Sequence, residues 1–205
     1  MKQSTIEEIE KFLDLNLDGF IANHIFKDEK NIDDLLKLIQ KKFNLKNYPY
    51  KIVCLDISHI NGKYPSGWLS AMKWAILSKK DYRQFKIDSS LWGNDYDSLK
   101  YCIYKYFENN TCDLFILDGW KWQLNIINDL DNDILEKVDF ISIWKWKARK
   151  RKWKLEWNNE VFFLQNWKEI EVDYNKMEDK LLIKLRDEAH RFANRYRRIQ
   201  NKKNF

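Results

Sequence analysis

Glycine is scarce in this chain: five residues in 205, where an ordinary usage of about 7% would supply about 14. Only two prolines accompany them. No stretch therefore reads as a flexible linker or a low-complexity segment, and no internal repeat is present. Cysteine is rare too. Cys54, Cys102 and Cys112 lie far apart and form no CxxC pair, which argues against a zinc site and a disulfide framework and leaves buried thiols of a reduced compartment. No apolar run approaches the ~20 residues of a membrane span, and the first residues lack a secretory pattern. The expectation is a soluble, cytoplasmic protein with no membrane partner.

Tryptophan and charge are abundant instead. Ten tryptophans stand against the five glycines, and 44% of the residues are hydrophobic, enough for the core of one domain. The formal charge is +6, with a pI near 9.0, and it is unevenly placed. Residues 1–38 carry nine acidic and five basic side chains, whereas seven of the ten residues in "KWKARKRKWK" (145–154) are Lys or Arg. No acidic residue follows Glu188, while Arg191, Arg195, Arg197, Arg198, Lys202 and Lys203 do. Two basic clusters in the C-terminal third fit a nucleic-acid face; a solvated loop and a basic tail give the same composition.

Periodicity predicts an α/β domain. Helical spacing covers 5–14 and 32–43, and "YKIVCLDI" (50–57) is a β-rich apolar run. Strands are predicted over 67–77 and 81–88. An amphipathic helix follows over 93–107, opened by the capping pattern Asn94 with Asp97. "DLFILD" (113–118) reads as a central strand. A helix near 122–130, strands near 138–144 and 161–164, and a long helix over about 177–200 complete the chain.

The chemistry-bearing residues sit at strand ends. Asp56 in "CLDIS" and Asp118 in "ILDG" each close or nearly close an apolar strand. In an open α/β sheet, sites form at the carboxyl ends of strands, so the two acids can meet at a divalent cation; each alone equally fits a turn cap. In the last helix Leu182, Leu185, Ala189, Phe192 and Tyr196 form an apolar stripe, with His190, Arg186 and Asn194 beside it. His190 is a candidate metal ligand or proton donor. His24 and His59 are less well placed.

The motifs "YKIVCLDISHING", "GNDYDSLK", "DLFILDGWKWQLN" and "LRDEAHRFANRYRR", in this order, resemble those of the C-terminal nuclease half of UvrC, the excision-repair endonuclease subunit, over about residues 35–200. The resemblance implies an RNase H-like fold, a mixed β-sheet flanked by helices, over residues 48–205, preceded by a helical extension over 1–47. It implies an Asp56–Asp118–His190 site for Mg²⁺ or Mn²⁺, with Asp95 as a supporting acid. The activity implied is incision of damaged double-stranded DNA on the 5′ side of a lesion, in nucleotide excision repair and the SOS response. Lys121, Lys147, Arg149, Lys150, Arg151, Lys152, Arg186 and Arg191 are then the expected phosphate contacts.

The family's GIY-YIG nuclease and helix-hairpin-helix pair have no counterpart in the sequence. Half of an enzyme is thus expected, with UvrB and a separate GIY-YIG chain as implied partners. A non-catalytic DNA-binding scaffold, a fragment of a UvrC protein, and a related nuclease acting on RNA or branched DNA are the alternatives. Trp120 and Trp122 stand where the family turn carries glycines, and Trp92, Trp144, Trp146 and Trp153 fall in glycine-bearing regions. Two readings account for this: indoles that stack on bases, or UGA codons meant as glycine. Glycine is expected beside Asp118 because such a turn can require positive φ and a close approach of DNA.

Overall fold

The structure, a computed structural model, describes residues 29–60, 64–91, 93–145 and 160–203. The helix expected at 5–14, His24, Trp92 and the basic residues Lys147, Arg149, Lys150, Arg151 and Lys152 lie outside the described residues.

Helix α1 (Glu29–Phe43) buries Ile32, Leu35, Leu36, Ile39 and Phe43, the three- and four-residue spacing of one helical face. It stops at Asn44, which takes φ 52°. The Leu45 N–H then donates to the Gln40 carbonyl at 2.9 Å, and the Asn44 N–H to that of Lys41 at 3.3 Å. This closing pattern satisfies the last free carbonyls of the helix. The α1 side chains share a core with Ile52, Cys54, Ile116 and Leu185. Among the described residues, α1 thus packs directly on the sheet.

Strand β1 (Lys51–Ile60) pairs antiparallel with β2 (Tyr64–Lys73) from Lys51↔Lys73 to Ile60↔Tyr64. The single strand expected over 67–77 is two: β2 reverses through Trp74 and Ala75 into β3 (Ile76–Leu77). Strand β4 (Arg83–Lys86) also pairs with β2. Helix α2 (Asp95–Phe107) begins as predicted, with the Asn94 side chain accepting from the Tyr96 and Asp97 N–H groups at 3.1 and 3.2 Å.

Strand β5 (Leu114–Asp118) runs parallel to β1 and to β6 (Asp139–Lys145). Between β5 and β6 the expected α-helix is instead a 3₁₀ segment, Lys121–Asp129, followed by the short α3 (Asn132–Lys137), which the periodicity did not reveal. Trp120 offers no capping side chain at the start of the 3₁₀ segment, and Asn125, Asn128 and Asp129 are poor helix formers. Strands β7 (Glu160–Leu164) and β8 (Glu169–Glu171) complete the sheet antiparallel; β8 was not anticipated. Helix α4 (Met177–Lys203) ends the described chain.

The eight strands lie in the order β3-β2-β1-β5-β6-β7-β8, with β4 on β2. Alternation along β1 and β5 sorts the side chains. Ile52, Cys54, Leu114 and Ile116 face α1 and α4, while Val53, Leu55, Phe115 and Leu117 face α2 and the 3₁₀ segment. All three cysteines are buried and free, as expected.

Candidate metal centre

The same alternation aims the two aspartates. Asp56 continues the parity of Ile52 and Cys54, and Asp118 that of Leu114 and Ile116, so both carboxylates emerge on the α4 face. The parallel register Ile52↔Leu114 through Leu55↔Leu117 carries one step further to bring Asp56 beside Asp118. On α4, Leu182, Leu185 and Ala189 are buried against the sheet, and His190 follows at the edge of that stripe.

The three side chains meet. His190 Nδ1 lies 3.0 Å from Asp56 Oδ2, and Nε2 lies 2.8 Å from Asp118 Oδ2. Asp56 and Asp118 are nearly withdrawn from water, whereas the His190 side chain is 51% exposed, so the site opens toward solvent on the histidine side. The imidazole pKa is pushed up to about 10, first by Asp118 and then by Asp56. Burial pushes the Asp118 carboxyl up against the pull of His190. At neutral pH the His190 ring is therefore an imidazolium, set between the side chains of Asp56 and Asp118.

One oxygen is only half accounted for. Asp118 Oδ2 is close to Nε2, yet by direction it has no hydrogen-bond partner. The contact is an ion pair off the N–H axis, and direction decides this over distance. One donor atom from each of Asp56, Asp118 and His190 lies within 4.8 Å of the other two. Two carboxylates and an imidazole whose donor atoms converge in this way fit a divalent cation of the Mg²⁺ or Mn²⁺ kind. Asp95, the expected supporting acid, is exposed at the first residue of α2 and is not among these converging donors.

The other expected contacts divide. Lys121 is 41% exposed, paired loosely with Glu169 at 3.4 Å and 5.8 Å from the Trp167 ring centroid. Arg191 is half exposed and holds Glu188 through Nε at 2.6 Å. Arg186 corrects the expectation. It is 3% exposed, with Nη1 and Nη2 each 3.1 Å from a carboxylate oxygen of Glu160, and Nη2 also 2.5 Å from Asp187. It is unavailable to a phosphate because two carboxylates already hold it.

Arg186 is a positioning residue. With Glu160 it ties α4 to β7 one turn before His190. Ser70 donates to the Leu185 carbonyl at 2.7 Å, Tyr82 donates to Glu188 at 3.0 Å, and Trp68 meets Phe192 edge-on at 4.9 Å. Sequence reasoning missed Glu160. Its signal was a lone acid opening the apolar run "EVFFL".

The turn after Asp118 also differs from expectation. Gly119 takes no positive φ, and Trp120 is extended at φ −73°, ψ 166°. A side chain at 119 would instead overlap that of Gln123. Trp120 and Trp122 are exposed, and Trp120 packs on Trp144 with ring centroids 4.4 Å apart. Positive φ occurs at other tryptophans, Trp74 (53°) and Trp167 (64°).

A family profile described as the UvrC RNAse H endonuclease domain matches residues 40–194. The UvrABC system protein C of Thermosipho africanus (strain TCF52B) is 30% identical over 185 residues, covering 88% of this chain and 30% of that protein. The protein of the same description from Clostridioides difficile (strain 630) is 31% identical over 205 residues, covering 98% and 31%. The chain thus spans about a third of the length of the curated relatives it matches. Among solved structures human ENDOV is similar at TM-score 0.45 and 7% identity, over 81% of this chain and 99% of that one, a likeness that adds nothing to the assignment.

Proposed function

We propose that this chain, which belongs to the UvrC RNase H endonuclease domain family, has that family's nuclease role in DNA repair. The proposal is a divalent-metal-dependent endodeoxyribonuclease that hydrolyses a phosphodiester of damaged duplex DNA. The convergence of Asp56, Asp118 and His190 carries it. Mg²⁺ or Mn²⁺, held by these three residues, would neutralise charge building on the phosphate and lower the pKa of a bound water.

The chain's own residues do the rest. Asp56 and Asp118, embedded in adjacent strands, are fixed before substrate arrives, so little reorganisation is needed at the moment of reaction. His190, fixed by the α4 packing, is half exposed and reachable by a phosphate. Lys121, three residues after Asp118, and Arg191, beside His190, flank the site with positive charge. Lys145 ends β6 at the side of the sheet where Asp118 pairs with Ile143, and Lys147, Arg149, Lys150, Arg151 and Lys152 follow it in the sequence. These groups grip the backbone without reading sequence. Incision on the 5′ side of a lesion, UvrB as partner and a GIY-YIG chain for the other cut rest on the resemblance alone.

The test is a nicking assay on lesion-bearing duplex, plain duplex and RNA–DNA hybrid, with Mg²⁺ or Mn²⁺, with and without UvrA and UvrB. Metal-dependent nicking of lesion duplex that Asp118→Asn abolishes supports the reading. DNA binding without cleavage under every condition makes the domain a scaffold, and preferred cleavage of the hybrid makes it a different nuclease.

A further inference from the structure

Two hairpin turns carry the wrong residue for their backbone. Lys73 pairs with Ile76, so the β2–β3 loop has two residues, Trp74 and Ala75, at φ 53° and 58°. A two-residue loop with positive φ at both positions favours Asn-Gly, Asp-Gly or Gly-Gly, because a left-handed residue other than these presses its Cβ on the neighbouring carbonyl; Trp74 fills the first position, where Asn, Asp or Gly is expected, and Ala75 the second. The β7–β8 loop is the second. The Leu164 N–H donates to the Lys168 carbonyl at 3.0 Å, and the Trp167 N–H to the Leu164 carbonyl at 2.9 Å. Three residues thus close this hairpin, the last of them, Trp167, at φ 64°. That position of a three-residue hairpin takes glycine.

Among the described residues only Asn44, Trp74, Ala75 and Trp167 hold positive φ without being glycine. Asn44 is a normal helix terminator. Tryptophan is the bulkiest side chain available for a left-handed site; Trp167 is 46% exposed, whereas Trp74 is partly buried against the core with its ring centroid 5.8 Å from that of Tyr50. Strained residues persist where surrounding structure over-determines them or function uses them; Trp167, at an exposed tip with the half-exposed Lys121 as its cation neighbour, has little packing to do so. The composition points the same way. Five glycines and ten tryptophans together make 15, close to the roughly 14 glycines that a chain of this length ordinarily holds. UGA, a stop codon in the standard code, differs from the tryptophan codon UGG in its last base and from the glycine codon GGA in its first.

We infer that positions 74 and 167 are encoded by UGA and carry glycine in the protein made by its source cell. A cell that reads UGA as glycine does so throughout the gene, and the exposed pair at 120 and 122 then becomes glycine where its codons are UGA. Trp68 stands outside the inference, being 1% exposed and packed on Phe192.

Three readouts test this, and none depends on nuclease activity. The gene should show UGA at both positions, and peptides spanning 74 and 167 from the source cell should have the mass of glycine. UGG at either position overturns the inference, as does UGA with tryptophan found in the peptide. In the chain as written, Trp74→Gly and Trp167→Gly should each raise the thermal midpoint by about 2–4 °C, while Trp68→Gly lowers it. Lowered midpoints in both turn variants would show that the indoles stabilise their turns and would overturn the strain argument.

Discussion

Replacing Arg186 by alanine separates two roles that the sequence leaves superimposed. A phosphate contact would be exposed, and its loss would weaken DNA binding with little effect on folding. The structure instead buries Arg186 against Glu160, itself 1% exposed. Arg186→Ala leaves that carboxylate in the core with Lys145 as its remaining cation, 3.2 Å away and itself half exposed. Breaking a buried pair by removing one partner costs about 3–5 kcal/mol. Lys145 places this case near the lower end, about 3 kcal/mol, or about 6–12 °C in midpoint for a chain of this size. The double variant Arg186→Met/Glu160→Gln removes both charges and should recover much of the loss, giving a coupling of about 1–3 kcal/mol in a double-mutant cycle. Urea and thermal denaturation followed by circular dichroism measure it. Unchanged stability with a reduced salt slope of DNA binding would refute the argument and return Arg186 to the DNA face.

Three further outcomes follow from the same contacts. Asn94→Ala removes the acceptor of two N–H groups at the start of α2 and should cost about 1 kcal/mol in equilibrium denaturation. Glu160 desolvation pushes its carboxyl up, but the Arg186 guanidinium outweighs it and the group is held below its ordinary 4.5; a depressed folded value stabilises above that pH and is lost as pH falls through it, so Glu160→Gln should flatten the acid limb of a stability–pH curve, and an unaltered limb would contradict the pairing. Neutralising Lys147, Arg149, Lys150, Arg151 and Lys152 together should weaken DNA binding alike for all sequences and lower the salt slope by about one per lost contact, while an unchanged slope would make the segment a solvated loop.

How much the sequence told in advance follows from which signals were local. Strands β1 and β5 were legible because "IVCL" and "LFIL" are continuous apolar runs, and the α2 start because Asn94 caps by its own side chain. The 3₁₀ segment is not distinguished from an α-helix by sequence because the three-residue spacing of Leu124 and Ile127 suits both geometries. The β2–β3 turn was hidden because its two residues are Trp74 and Ala75, and no Asn-Gly marked the reversal. Strand β8, "EIE", is too short to show a period. At the site, Asp56 and Asp118 were legible from strand-end position, and His190 from its place beside an apolar helical stripe. The burial of Arg186 is not legible because its partner Glu160 lies 26 residues away, and a pairing of that range leaves no periodic trace.

The central claim, that Asp56, Asp118 and His190 form a divalent-cation site, is tested most directly by titrating Mn²⁺ into the full chain by calorimetry, beside Asp56→Asn, Asp118→Asn and His190→Ala. The account predicts one site in the parent chain and affinity losses of about 10–100-fold or more in each variant. Release of about one proton should accompany binding near pH 7, because an imidazolium must give up its proton to the incoming cation. Circular dichroism should show the fold retained in all three. Equal Mn²⁺ affinity in the parent and the three variants would contradict the claim.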